Sequence, residues 1–185
     1  MIIDCHTHAW RKWPYNPPVP DHNSRGQVEQ LLWEMDRNKV DKAVLVCARI
    51  DYNPDNNDYV YDCVQKYPDR LIQFADVDCS WTVTYHQSGS AQRLAESANR
   101  YNLVGFTHYL RSDYDWFDSA EGISFFETAA DLKLIASLAL GASWQPFLRQ
   151  LAKRFPSVIF LCHHMGGAKS SVSPPYSDFD QILKS

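Results

Sequence analysis

The chain has 185 residues, with 22 acidic against 18 basic side chains and 45% hydrophobic content, enough apolar material to bury a core and too much for a disordered chain. A net charge of −4 without any run of four Lys or Arg removes the footprint of a nucleic-acid or anionic-membrane binder, so the expected partners are small molecules or other protein. No stretch approaches the length of a membrane span, and Ile2-Ile3 follows Met1 without a basic region, so neither a span nor a signal peptide is expected. Five cysteines (Cys5, Cys47, Cys63, Cys79 and Cys162), an odd number with no C-x-x-C, read as buried thiols of a protein in a reducing cytoplasm.

Short apolar runs alternate with amphipathic stretches along the chain, the pattern of a parallel sheet wrapped by helices, and the fold class is α/β. The first strand is expected over Ile2 to His6, followed by a Pro-rich loop from Pro14 to Asp21 and a helix from Gln27 to Lys39 headed by Ser24 in capping-box spacing. A second strand over Ala43 to Ala48 leads to a helix over Asp58 to Tyr67, stopped by Pro68. Leu71 to Val77 is the third strand, and Ser90 heads a helix over Ala91 to Tyr101. The fourth strand, Leu103 to Tyr109, precedes a polar and aromatic loop from Arg111 to Gly122 and a weaker helix over Ile123 to Leu132. Leu134 to Leu140 is the fifth strand, Ser143 heads a helix over Trp144 to Phe155, and Val158 to Cys162 is the sixth strand.

Nothing in composition marks a linker, so residues 1–185 read as a single domain. Six βα units in 185 residues are about 31 residues each, and a (β/α)8 barrel of that pitch needs about 250. The chain therefore reads as a TIM-type barrel with only about six units present. A complete doubly wound sheet would place a glycine fingerprint after its first strand, where this sequence has Cys5-His6-Thr7-His8.

That first strand end carries the strongest chemical signal. Strand alternation throws residues 4, 6 and 8 to one face, so His6 and His8 point the same way and can ligate one divalent ion, with a buried Asp4 placed to orient a ring or accept a backbone N–H. Against this stands a plain pair of solvated histidines. Position weighs toward the metal, because catalytic groups of barrels collect at the carboxyl ends of strands. The sixth strand ends in Cys162-His163-His164-Met165-Gly166-Gly167, a further imidazole at a strand end, followed by glycines that permit a sharp turn or a close approach.

These residues resemble a family. Ile3-Asp4-Cys5-His6-Thr7-His8-Ala9-Trp10 is similar to the opening I-D-x-H-x-H-x-W of amidohydrolase family 2, predicted metal-dependent hydrolases of TIM-barrel fold. Met35-Asp36, Val40-Asp41-Lys42-Ala43, Asp55-Asn56-Asn57-Asp58, Tyr67-Pro68-Asp69-Arg70 and Gly105-Phe106-Thr107 follow in the family's order, and His164-Met165-Gly166-Gly167 resembles its H-x-G-G. The resemblance implies a mononuclear divalent metal, commonly zinc, although some lactonase relatives work without one. It implies hydrolysis or decarboxylation of small carboxylated compounds, with pyrone-dicarboxylate and sugar lactonases most similar. It makes His6 and His8 the metal pair and His164 the catalytic imidazole that supports the substrate carbonyl. The strand-five histidine of many relatives is missing from Leu134 to Leu140, and the family's strand-eight Asp has no matching position.

Arg49 after strand two, and His108 and Arg111 at the end of strand four, are the expected substrate-binding residues, Arg being suited to bidentate carboxylate capture. Trp10, Trp13, Tyr15, Trp81, Tyr85, Tyr114, Trp116 and Phe117 crowd the loops on the same side, as pocket walls or as loop packing. The main expectation is a lactone hydrolase using water attack on a ring carbonyl. The alternatives are a metal-dependent nonoxidative decarboxylase of an aromatic or dienoic acid, or an inactive fragment or interaction subunit whose open sheet edge pairs with another chain, a second copy included.

Overall fold

The computed structural model describes residues 1–16, 19–111, 113–167 and 177–184, and the chain forms two compact units, Met1–Asp76 and Val77–Ser185. In the first unit, β1 (Ile3–Thr7), β2 (Lys42–Val46) and β3 (Leu71–Asp76) alternate with helices α1 (Val28–Arg37) and α2 (Asn56–Lys66). The strands are parallel and pair in chain order, Ala43 facing Leu71 and Val46 facing Phe74 across β2 and β3. The core lies between strands and helices. Ala43, Leu45, Cys47 and Leu71 from the sheet meet Val28 and Met35 of α1 and Val60 and Cys63 of α2, the apolar stripes that their helical spacing requires.

In the second unit, α3 (Ser90–Tyr101), β4 (Gly105–Tyr109), a 3-10 turn (Tyr114–Asp118), α4 (Ala120–Asp131), β5 (Ile135–Ala139), a 3-10 turn (Ala142–Trp144), α5 (Gln145–Arg154) and β6 (Ile159–Cys162) follow one another, with a short α6 (Ser177–Leu183) near the end of the chain. β4, β5 and β6 are parallel and adjacent in that order. Their helix-facing core is aromatic: Phe106 meets Phe125 edge-on at 5.3 Å, and Phe126 touches Phe125, Phe155 and Phe160. Among the described residues no helix is long and apolar enough to cross a membrane.

All six expected strands form, with ends displaced by one or two residues, and the five expected helices follow them. The caps differ. Ser24 donates to the Asp21 carbonyl inside a turn and does not cap α1, whose N-cap is Gln27. Ser143 lies within a 3-10 turn, and Ser90 is the first residue of α3, not its cap. The segment expected as an open loop up to Gly122 instead holds the Tyr114–Asp118 turn and the start of α4, where Ser119 Oγ accepts the Gly122 N–H at 3.1 Å. The amino end of α3 is closed from α4: the Glu121 carboxylate accepts the N–H groups of Gly89 and Ser90 and the hydroxyls of Ser88 and Ser90, placing negative charge at the positive helix end. The expectation of five buried thiols holds for Cys47, Cys63 and Cys79, whereas Cys5 is exposed and Cys162 half-buried, because β1 and β6 are less covered than the strands between.

Candidate metal and substrate site

In the first unit the β1–β2 register shifts between Asp4 and Thr7, which pair with Ala43 and Leu45 and so leave one extra residue on β1. A bulge of this kind breaks strict alternation, and Asp4, expected to be buried, is exposed, its Oδ1 accepting the His6 N–H at 3.1 Å. The two imidazoles, His6 within the shifted stretch and His8 past it, stay together. The rings of His6 and His8 meet edge-on with centroids 5.0 Å apart. Two imidazoles sharing one tetrahedral ion at about 2.1 Å per nitrogen place their centroids roughly 5 Å apart, so the pair has the spacing a divalent ion requires. His8 Nδ1 lies 2.7 Å from the Val46 carbonyl oxygen. A carbonyl only accepts, so Nδ1 carries the proton and Nε2 presents its lone pair, the arrangement by which an outer hydrogen bond fixes a ligand's tautomer. Trp10, 2% exposed, stacks on His8 at 5.3 Å and limits ring rotation.

The strand ends of this unit are tied by three buried asparagines. Asn56 accepts the Ala48 N–H at 2.9 Å and donates to the Ala9 carbonyl at 2.8 Å. Asn57 brackets the Asp76 backbone, accepting its N–H at 2.8 Å and donating to its carbonyl at 2.9 Å. Asn53 exchanges two bonds with the Lys12 backbone. Asp76 at the end of β3 is thereby held with a fully buried carboxylate, and it takes the Arg49 N–H at 2.7 Å and faces the Arg49 guanidinium at 3.5 Å. Arg49 is about one-third exposed and retains donors for an incoming anion. Beside the β1 loop, Lys12, Trp13, Tyr15, His22 and Tyr52 line a cavity of about 410 Å³, so two of the expected aromatic walls do border a cavity.

In the second unit, His108 on β4 is fully buried among Phe125 and Trp116, with Nδ1 3.0 Å from the Val77 carbonyl oxygen and Nε2 3.1 Å from His86 Nε2. His86 lies flat on Trp116 at 3.7 Å and contacts the Asp113 carboxylate through Nδ1. Burial pushes the His86 imidazole down to about 4, with His108 acting in the same sense and Asp113 opposing. Arg111 is exposed; its N–H donates to the Tyr85 hydroxyl, and its guanidinium bonds the Ser80 carbonyl. Trp81 packs on Tyr109, and Tyr114 packs between Trp144 and Phe147, so these aromatics serve loop packing.

After β6 the two adjacent histidines diverge in environment. His163 is buried, its Nε2 2.8 Å from Ser137 Oγ and 3.3 Å from Thr107 Oγ1. His164 is exposed and begins a left-handed turn, His164–Gly167, in which all four residues have positive φ. Such a turn costs roughly 1–2 kcal/mol at each non-glycine position. A Cβ on Gly167 would lie 2.8 Å from the Gly141 Cα, so the second glycine is required by a backbone contact. His86, Asp113 and Asn53 were not singled out by sequence reasoning; Asn56-Asn57 and Asp76 stand inside the family-like Asp55-Asn56-Asn57-Asp58 and Ala75-Asp76-Val77-Asp78, and His163 was read only as the neighbour of His164.

The family model described as "Amidohydrolase" matches residues 3–184. No curated protein matches the chain. Among solved structures the chain is similar to a "probable 2-pyrone-4,6-dicarboxylic acid hydrolase" from Acinetobacter baumannii with citric acid bound, at 18% identity and TM-score 0.71, covering 99% of this chain and 65% of that one. It is also similar to 4-oxalomesaconate hydratase from Rhodopseudomonas palustris (20% identity, TM-score 0.65, 100% of this chain and 68% of that one) and to 2,6-dihydroxybenzoate decarboxylase from Rhizobium (15%, 0.67, 90% and 67%). The chain spans less than two thirds of the first structure's length. At these identities the likeness speaks for the fold, which is the α/β class of TIM-barrel type with six parallel strands among the described residues. With a family model matched over nearly its whole length, the chain belongs to the amidohydrolase family.

Proposed function

We propose that the protein is a divalent-metal-dependent enzyme acting on a small carboxylated ring compound, and that its reaction is nonoxidative decarboxylation of an aromatic or dienoic acid. The observation that carries the metal reading is the His6–His8 pair, with centroids 5.0 Å apart and the His8 tautomer set by the Val46 carbonyl. The bound ion, proposed as zinc, would supply a positive centre for the substrate's carboxylate or adjacent oxygen. Arg49, steadied by Asp76, and Arg111 at the end of β4 are the proposed carboxylate anchors. His108, proposed as a substrate-binding residue, is linked to His86 through its Nε2. His164 is the proposed catalytic imidazole, a group that can give or take a proton near neutrality. Support for decarboxylation comes from the fold neighbours named as decarboxylases of hydroxylated aromatic acids.

A second reading, lactone hydrolysis with His164 supporting the ring carbonyl, is favoured by the likeness at TM-score 0.71 to the probable 2-pyrone-4,6-dicarboxylic acid hydrolase. The odd number and wide spacing of the five cysteines support a reducing, cytoplasmic compartment, and residues 1–185 are proposed as a single barrel-type domain with about six βα units. The test is to incubate the purified full chain with zinc or manganese and either aromatic and dienoic acids, following CO2 release, or lactones, following ring opening. Turnover of acids alone supports the first reading and of lactones alone the second. A metal-loaded protein that turns over neither refutes both.

A further inference from the structure

The contact chain in the second unit contains more hydrogen bonds than its neutral rings can supply with protons. The Val77 carbonyl accepts, so His108 Nδ1 must donate to it at 3.0 Å. A neutral His108 then offers a lone pair at Nε2, and His86 Nε2, 3.1 Å away, must carry the shared proton. That leaves a lone pair on His86 Nδ1 facing the Asp113 carboxylate in a short contact. Starting the count from Asp113 moves the deficit to the Val77 end without removing it. Two neutral imidazoles bring two protons to three contacts, and the third proton has to come from outside.

We infer that Asp113, His86 and His108 share three protons as one net-neutral relay, and that this relay positions Arg111. The chain reaches Arg111 through Tyr85, whose hydroxyl donates to Asp113 Oδ1 at 2.7 Å and accepts the Arg111 backbone N–H at 2.9 Å. Burial pushes the Tyr85 hydroxyl upward, so it stays protonated and donates. Burial also disfavours an imidazolium on His86, so the third proton belongs to the His86–Asp113 contact as a unit and not to the ring alone. Among the described residues, the groups facing the relay include Asp78, which accepts the His86 backbone N–H at 3.3 Å and is neutralised by a two-pronged Arg93, the guanidinium of Arg111 over the Tyr85 ring, and the uncharged faces of Trp116, Phe117 and Phe125. His86 itself has φ of 54°, a left-handed backbone uncommon for a residue with a side chain. Arg111, His86 and Asp113 are thus set by one network.

The positioning role rests on the proposed use of Arg111 as a carboxylate anchor; the proton count does not. NMR of the full chain labelled with 15N-histidine, from about pH 3 to about pH 9 so that the lowered His86 range is included, reads the count without substrate. The expected result is a far-downfield proton bonded to His86 Nδ1, lost in one step as pH rises, with the His86 and His108 resonances moving together and assigned through H86Q. In D113N the amide can donate to His86 Nδ1 while its oxygen still accepts from Tyr85, so every contact is made by neutral rings and the step should vanish. Absence of the step in the wild type, or its persistence in D113N, overturns the relay. In the activity arm, KM for a carboxylated substrate should rise roughly two- to tenfold through the same pH step, as for the loss of one hydrogen bond, with kcat changing less and with a flat KM profile in D113N. A step with no accompanying KM change overturns the positioning of Arg111 and leaves the proton count standing. If the chain turns over no substrate, the function reading fails and the NMR result still decides the relay.

Discussion

Asn57 offers the sharpest test of how the first unit holds its strand ends. Its side chain is 6% exposed and makes two bonds to the backbone of Asp76, itself 1% exposed. Asn57→Ala removes both partners where water has little access, and an abandoned buried backbone group costs about 1–3 kcal/mol. The two together should lower stability by about 2–4 kcal/mol, or about 5–15 °C in Tm for a chain of this size. Asn57→Asp keeps the acceptor for the Asp76 N–H but turns a carboxylate toward a carbonyl and should also destabilise. Gln65→Ala, an exposed change on the same helix, should stay within about 0.5 kcal/mol and serves as the control. Urea unfolding followed by circular dichroism measures all three. A loss below about 1 kcal/mol for Asn57→Ala, equal to the control within error, would refute the reasoning. The same change should weaken binding of a carboxylated ligand, because the Asp76 carboxylate receives the Arg49 N–H.

Metal analysis of the purified protein should find a divalent ion that His6→Ala and His8→Ala each lose, with the ordered fold retained by circular dichroism; equal metal content in wild type and variants removes the chelation proposal. Ser119→Ala should cost about 1 kcal/mol of stability and Ser119→Asp should keep most of it, since Ser119 Oγ caps the Gly122 N–H. The amide and hydroxyl donors of Gly89 and Ser90 hold the Glu121 carboxyl below its ordinary range. Its contribution is therefore complete above the ordinary glutamate value and lost as pH falls through the lowered one, so the stability gap between wild type and Glu121→Gln should close in acid. Thiol labelling of the native protein should reach Cys5 first, while Cys47, fully buried and with its thiol pushed up by burial, should react only on unfolding.

The strands were legible because each is a short apolar run bounded by turn residues, and burial demands little more of a strand than that. Leu71 to Asp76 and Ile135 to Ala139 needed no tertiary information to be found. Helix caps were less legible, since Ser24, Ser90 and Ser143 each satisfy a local pattern that a competing partner overrides: the Asp21 carbonyl, the Glu121 carboxylate and a 3-10 turn. The Asp4 error has a similar origin. Alternation assigns it to the face of His6 and His8, but a bulge inserts one residue between them, and nothing in Ile3-Asp4-Cys5-His6 marks a bulge.

The site divides along the same line. His6 and His8 were visible because a two-residue spacing on one strand is enough to bring two rings together, and no other part of the chain is needed for it. His86, Asp113 and His108 come from a loop, another loop and a strand, 22 and 27 residues apart as counted from His86. No periodicity relates such positions, and their meeting depends on Trp116 and Tyr85 closing over them. Where spacing alone joins two groups, as in His6 and His8, sequence gives the pair, but the His8 tautomer depends on the Val46 carbonyl 38 residues away. Where the partners are distant, sequence gives only the group, and its protonation follows from a hydrogen-bond count that needs every member of the chain. That asymmetry makes the loop histidine, not the strand pair, the place where substitution should reveal a proton that the sequence does not show.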